Sequence, residues 1–284
     1  MTRTRTALLA LALSVLPLAA GAPGASAQTH HEENDSSGAV QATLSFDKEN
    51  DFTYRNVRLR IVRGGTTVFD GPVTEPCTDC GVSPAGRGED DSMRVLDLNA
   101  DGEPEVVIDL YTGGAHYCTI ALVYGFSPGS GTYERDVNNF LDAGYVFEDL
   151  DGDGIPEFKS FDARFASLFL PYAGSVLPAQ VFNFRDGRIV DTTREFPNHI
   201  RAHTRALRRL YNRMRRRRGG DVRSVLAAYV AEKYLLGEGT AGYALAVKAF
   251  RRGELRGFGR NDSYPRNRKY LRALRRALRR YGYS

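Results

Sequence analysis

Asp97-Leu98-Asn99-Ala100-Asp101-Gly102-Glu103-Pro104-Glu105 returns further along the chain as Asp149-Leu150-Asp151-Gly152-Asp153-Gly154-Ile155-Pro156-Glu157. Both nonapeptides obey D-L-[ND]-x-D-G-x-P-E. Oxygen-bearing side chains at alternate positions 1, 3 and 5 of a tight loop converge on one point, as a hard cation such as Ca²⁺ requires with its six to eight oxygen ligands at ~2.3 to 2.6 Å. Glycine at position 6 permits the sharp turn, position 7 offers a backbone carbonyl, and position 9 adds a carboxylate. An EF-hand would close with a bidentate glutamate at position 12 between two helices. Here that position is Ile108 or Ser160, and the flanks Arg94 to Leu96 and Val106 to Leu110 read as strands, so the EF-hand is excluded. Asp-Gly turns that cap hairpins without metal account for one such loop, but poorly for two copies that agree at every ligand position.

Outward from the loops the pattern is of hairpins. Ala39 to Phe46 and Asn56 to Phe69 read as strands, with apolar and basic residues largely alternating through Val57 to Arg63 before the turn at Gly64-Gly65. Thr119 to Phe126 turns at Pro128 to Gly131 into Thr132-Tyr133, and Gln180 to Phe184 turns at Asp186-Gly187 into Arg188 to Val190. Hairpin, acidic loop and strand thus recur about two and a half times, as in stacked or propeller-like β architectures. A closed propeller needs at least four blades of ~40 to 50 residues, more than residues 39–193 supply. From His199 the period becomes helical: Ile200, Leu207, Leu210, Tyr211 and Met214 share a face, as do Val222, Val225, Leu226, Tyr229 and Val230 after a predicted Asp221 cap. Tyr243 to Phe250 and a stripe through Tyr270, Leu271, Leu274, Leu278 and Tyr281 complete four predicted helices. The fold class expected is α+β: an antiparallel, blade-like repeat domain over residues 39–193, not a closed propeller, then a small basic helical domain over residues 194–284.

A strand-flanked D-x-[ND]-x-D-G-x-x-[DE] loop resembles the calcium loops of FG-GAP or VCBS repeats, which occur in integrin-like propellers and in many bacterial secreted proteins. The resemblance covers Asp97 to Asp162 and extends by repetition to Ala39 to Asp191. It implies two Ca²⁺ sites. The first takes Asp97, Asn99, Asp101, Glu105 and the carbonyl of Glu103; the second takes Asp149, Asp151, Asp153, Glu157 and the carbonyl of Ile155. The sequence departs from that family in carrying glutamate where aspartate is commoner at position 9, in lacking the FG-GAP tripeptide, and in its low repeat number.

Arg3 and Arg5 precede an apolar stretch, Ala7 to Ala20, that ends in the small-residue segment Gly21 to Ala27, the three-part grammar of a signal peptide over residues 1–27. The apolar run falls short of the ~20 residues that span a bilayer, and no later stretch is apolar enough to do so. A secreted, extracellular or envelope-associated location follows, with a loose polar lead-in over residues 28–38. Cys77, Cys80 and Cys118 would then meet an oxidising compartment, where disulfide pairing of Cys118 with Cys77 or Cys80 is the first reading and a Cys₃His zinc set completed by His116 the second.

The net charge of +5 hides a division: residues 194–284 carry 25 Lys/Arg against 6 Asp/Glu, whereas residues 28–193 carry 12 against 28. Arg215, Arg216, Arg217, Arg218, Arg275, Arg276, Arg279 and Arg280 read as a solvated face, a surface docked on the acidic domain, or a patch for envelope polymers or lipid. Nucleic acid is not expected for an exported chain without regularly interleaved aromatics. No phosphate loop or serine-hydrolase elbow occurs, and the His116 and Cys118 pair has no identifiable activating carboxylate. The expected role is a non-enzymatic calcium-binding module that contacts envelope polymers, glycans or another protein. An enzyme would instead gather carboxylates outside the loops, such as Asp109, Asp142 and Asp162, in one cleft.

Overall fold

The computed structural model describes residues 29–50, 53–74, 83–84, 92–111, 118–257 and 263–284. The expected signal peptide lies outside them. Among the described residues twelve strands form three separate antiparallel sheets of four, each an up-and-down meander in chain order. The first sheet holds β1 (Thr29–Ser37), β2 (Val40–Asn50), β3 (Thr53–Arg63) and β4 (Thr66–Pro72). The second holds β5 (Met93–Leu96), β6 (Glu105–Tyr111), β7 (Thr119–Ser127) and β8 (Thr132–Asn139). The third holds β9 (Tyr145–Glu148), β10 (Glu157–Phe161), β11 (Ala179–Arg185) and β12 (Arg188–Asp191). The α+β class stands, and the sheets close into no barrel.

Three four-stranded meanders therefore stand where the sequence pattern predicts about two and a half units, and the strand missed in the sequence is β1. Thr29–Ser37 was expected to be a loose lead-in, but it pairs residue by residue with β2 from Thr29↔Lys48 to Ser37↔Val40. Its composition hides it, because an edge strand with no apolar face gives no alternation to read. Its acids bind the neighbouring sheet instead: Glu33 accepts from the Ser92 hydroxyl (2.8 Å) and the Met93 amide (3.1 Å), and Asp35 accepts from the Val95 amide (2.7 Å). Amides of β5, an edge strand, are thereby satisfied by side chains where the ladder supplies no partner.

The middle sheet is buried on both faces. Val106, Ile108 and Leu110 of β6 and Ile120, Leu122 and Tyr124 of β7 pack on Val40, Leu44, Leu59 and Ile61 of the first sheet. The alternate residues Val107, Ala121 and Val123 pack on Phe140, Tyr145, Phe158 and Phe184 at the third sheet. Period-two alternation with both faces apolar reads in sequence as a nearly continuous hydrophobic run, as Glu105–Tyr111 does. Between the second and third sheets Gly125 of β7 leaves room for the Phe184 ring of β11: a Cβ there would lie 2.9 Å from Phe184 Cζ.

Four helices follow: α1 (Pro197–Met214), α2 (Arg223–Leu235), α3 (Gly239–Arg251) and α4 (Asn267–Arg280). Their stripes meet in one core around α2, joined by Phe165 and Phe169 from the β10–β11 connection. The predicted Asp221 cap is displaced by one residue: Val222 holds the N-cap position without a side-chain cap bond, and Asp221 just before it accepts from the Arg223 amide at 3.0 Å. The bundle is tied to the third sheet by fully buried Glu232, which accepts from the Ala179 amide (2.9 Å) and the Thr204 hydroxyl (2.8 Å) and pairs with His203. Tyr283, near the end of the chain, donates its hydroxyl to Asp162 at 2.9 Å. No helix among the described residues is long and apolar enough to cross a membrane.

Candidate metal centres

Each acidic nonapeptide forms the first hairpin connection of its sheet, joining β5 to β6 and β9 to β10. The registers coincide. Position 9 is paired across the ladder with the residue just before position 1, Leu96 with Glu105 and Glu148 with Glu157. In the first sheet the equivalent β1–β2 connection is only the Gly38-Ala39 turn, so that sheet has no such loop.

Within the loops the hydrogen bonds repeat as well. Asp97 accepts from the Gly102 amide at 3.0 Å, and Asp149 accepts from Gly154 at 3.0 Å. Asn99 accepts from the Asp101 amide (3.0 Å) and Asp151 from the Asp153 amide (3.3 Å). Asp101 and Asp153 each accept, at 2.8 Å, from the amide of position 7, Glu103 or Ile155. Both carboxylate oxygens of the residue at position 1 shape the loop in this way: Asp97 also accepts from the Asn99 amide at 3.2 Å, and Asp149 from the Gly152 amide at 2.7 Å. In the second loop carboxylate oxygens of Asp149, Asp151 and Asp153 lie within 4.8 Å of one another, all three residues being exposed to solvent. In the first loop the Asn99 amide nitrogen lies 3.0 Å from Asp101 Oδ2 and 3.5 Å from Glu105 Oε1, so a neutral donor sits among the acids.

The glutamates at position 9 sit beneath the loops. Glu105 is 2% exposed and Glu157 1% exposed, and each accepts at 2.8 Å from the amide of the leucine at position 2, Leu98 or Leu150. Burial pushes the Glu105 carboxyl up to about 8, with the charges of Asp101 and Asp97 acting in the same direction against the Leu98 amide. Burial also raises Glu157, where the Asn183 amide, donating at 3.1 Å, works the other way. No Lys or Arg among the described residues pairs with either glutamate. Two buried carboxylates facing three further acids or amides form an arrangement that a divalent cation would relieve.

Glu103 and Ile155 are expected to contribute carbonyls, and the Glu103 side chain has partners of its own outside the loop. It forms an ion pair with Arg63 of β3 (2.6 Å) and accepts from the Tyr133 hydroxyl (3.1 Å), and the Arg63 guanidinium holds its carboxyl below the usual range. Arg63, Tyr133, Leu98, Leu150 and Asn183 are the supporting residues that sequence reasoning did not find. They come from other strands, or act through a backbone amide, and carry no local motif.

The carboxylates that an active site would gather are dispersed among separate partners. Asp109 accepts from Tyr145 (2.6 Å) and Arg94 (3.1 Å), Asp162 from Arg164 (2.7 Å) and Tyr283, and Asp142 faces Tyr172. Cys77, Cys80 and His116 lie outside the described residues, and the disulfide and zinc expectations lie there with them; Cys118 is half-buried just ahead of β7. The arginines do not dock on the acidic domain as a group. Arg215 pairs with Glu254 of the helical domain at 3.4 Å, and Arg216, Arg217, Arg218, Arg276, Arg279 and Arg280 are exposed without an acidic partner among the described residues. Arg275 stacks over Tyr243 at 4.8 Å.

Residues 200–282 match the sll0997 C-terminal domain family. The chain is 33% identical over 164 residues to a probable thylakoid lumen protein of Synechocystis sp., an alignment covering 56% of this chain and 48% of that one. It is 26% identical over 157 residues to the uncharacterized protein y4bJ of Sinorhizobium fredii, covering 55% of this chain and 24% of the relative. The chain thus spans about half the length of the first relative and a quarter of the second. No solved structure matches.

Proposed function

We propose that this chain is an exported, calcium-stabilised module of FG-GAP or VCBS type with a binding or envelope-associated structural role and no catalytic one. The observation that carries the reading is the duplication: two hairpin loops in the same ladder register that share the hydrogen bonds of positions 1, 3 and 5 to the amides of positions 6, 5 and 7, each closed by a buried glutamate that pairs with no Lys or Arg among the described residues. The first site draws on Asp97, Asn99, Asp101, Glu105 and the Glu103 carbonyl, and the second on Asp149, Asp151, Asp153, Glu157 and the Ile155 carbonyl. Export is supported by the signal-like residues 1–27 and by a relative named a probable thylakoid lumen protein. A non-catalytic role is supported by Asp109, Asp142 and Asp162, each engaged with its own partner.

Calcium that binds only the folded state adds RT ln(1 + [L]/Kd), about 2.7 kcal/mol at a hundredfold excess over Kd. The melting temperature of the chain should therefore rise in millimolar Ca²⁺ and fall in EDTA. Titration calorimetry should resolve two sites, the tighter one lost in Asp151→Asn, because the second loop offers a carboxylate where the first offers Asn99. Identical melting in calcium and in EDTA would reduce both loops to plain turns.

A further inference from the structure

Helix α4 presents seven basic side chains in fourteen residues: Arg268, Lys269, Arg272, Arg275, Arg276, Arg279 and Arg280. All seven are exposed, while Tyr270, Leu274, Ala277 and Leu278 are buried in the helical core. None forms an ion pair with a described residue. The five described acids after residue 193 are all engaged elsewhere: Glu195 with Arg185, Asp221 with Arg223, Glu232 with His203, Glu238 with Lys233, and Glu254 with Arg215 and Arg252.

This arrangement opposes the local stability of the helix. Arg268, Arg272, Arg276 and Arg280 follow one another at i, i+4, where like charges repel. Arg268 and Lys269 also sit in the first turn, where the helix dipole favours acids. A chain that needed only solubility would disperse such charges, and here they are gathered against both effects with no counter-charge among the described residues. The seven cations also spread in two dimensions. At 100° per residue they span about 140° of the helix circumference and about 18 Å of its length. That is a broad plate rather than a single file, and it fits a planar array of phosphates better than one linear polymer.

We propose that the outer face of α4 lies against the headgroups of an anionic phospholipid bilayer, as a peripheral contact without insertion. Guanidinium groups bind phosphate oxygens bidentately. The apolar stripe of α4 is already spent on the helical core, so the attraction is electrostatic and sensitive to salt. α1 is the proper comparator. It carries five arginines over eighteen residues, but they are sparser, and Arg208 is stacked over Tyr211 and Tyr229.

The test uses a chain beginning at Gln28, which keeps every described element, in flotation with neutral phosphatidylcholine vesicles and with vesicles containing phosphatidylglycerol. Binding is expected to the anionic vesicles alone and to weaken steeply with salt. The combined Arg268→Gln, Arg272→Gln, Arg276→Gln and Arg280→Gln variant should lose on the order of a hundredfold in affinity or more. Substituting the same four with lysine should keep most of it. An equal charge change on α1, Arg201→Gln, Arg205→Gln, Arg209→Gln and Arg213→Gln, should cost far less. Circular dichroism and melting of each variant confirm that the exposed substitutions leave the fold intact. The proposal is overturned by equal binding to both vesicles, by absence of binding to either, by equal losses from the α1 and α4 variants, or by a soluble linear polyanion outcompeting anionic vesicles at matched charge.

Discussion

Ala100 holds in the first loop the backbone position that Gly152 holds in the second: each is fourth in its nonapeptide, and each has a left-handed φ, 58° at the alanine and 85° at the glycine. The two loops therefore share this left-handed step, and the first takes it with a residue that meets a steric penalty there.

The asymmetry gives a paired prediction. A Cβ at Gly152 meets nothing within 4 Å, so Gly152→Ala is opposed only by backbone strain and should cost about 1 kcal/mol. Ala100→Gly relieves that strain but gives the unfolded chain more freedom, and the two effects should nearly cancel, to within about 0.5 kcal/mol. Urea unfolding in saturating calcium measures both. Equal costs at the two positions would show that the loops do not share a path in solution.

Glu105 separates the energetics of the empty and filled site. Without metal its carboxylate is buried beside Asp97 and Asp101, with one backbone amide as its strong donor. Glu105→Gln removes the repulsion and keeps an oxygen for the Leu98 amide. In EDTA the variant should melt at or above the parent temperature. In calcium it should melt below it, having lost an anionic ligand. Glu157→Gln should show the same inversion with a smaller gain in EDTA, because Asn183 already supports that carboxylate. A uniform loss in both media would assign the glutamates a structural role independent of metal.

Gly125 is fixed by packing and not by its φ. The Cβ of Gly125→Ala would overlap the Phe184 ring at 2.9 Å and should cost about 1 to 3 kcal/mol. Phe184→Leu in the same chain should restore part of that loss, giving a coupling free energy of favourable sign in a double-mutant cycle. Additive losses would mean that the second and third sheets do not meet at this point.

Much of this architecture is legible in the sequence because its signals are local. The hairpins announce themselves through alternation and Gly-containing turns, and Val106 to Leu110 through an apolar run too short for a helix. The loop residues are legible for the same reason, since their ligand spacing is carried within nine positions. What escaped reading is whatever depends on a distant partner. β1 is a strand because β2 pairs with it and because Glu33 and Asp35 serve the edge of the next sheet, and no residue in Thr29–Ser37 signals this alone. Arg63 reaches Glu103 from forty residues upstream, and Asn183 reaches Glu157 from twenty-six residues downstream. The fate of the arginines was open in sequence because charge composition does not say which acids are already taken.

His199 provides a prediction about acid. It lies half-buried in the first turn of α1, and its pKa is lowered by burial first, then by the positive charges of Lys159 and His203, with Glu148 and Glu232 opposing more weakly. A histidine whose folded pKa lies below the ordinary value near 6.5 takes up its proton more readily in the unfolded chain. Its contribution to stability is therefore complete above that ordinary value and is lost as pH falls through the lower, folded one. His199→Gln cannot be protonated and should remove this component, so the variant should lose less melting temperature than the parent between pH 7.5 and pH 5 at constant calcium. The carboxylates titrate alike in both chains and cancel in the difference. Parallel melting curves across that range would mean that His199 is solvated well enough to take its proton without cost, and that the junction between β10 and α1 is more open to water than its packing indicates.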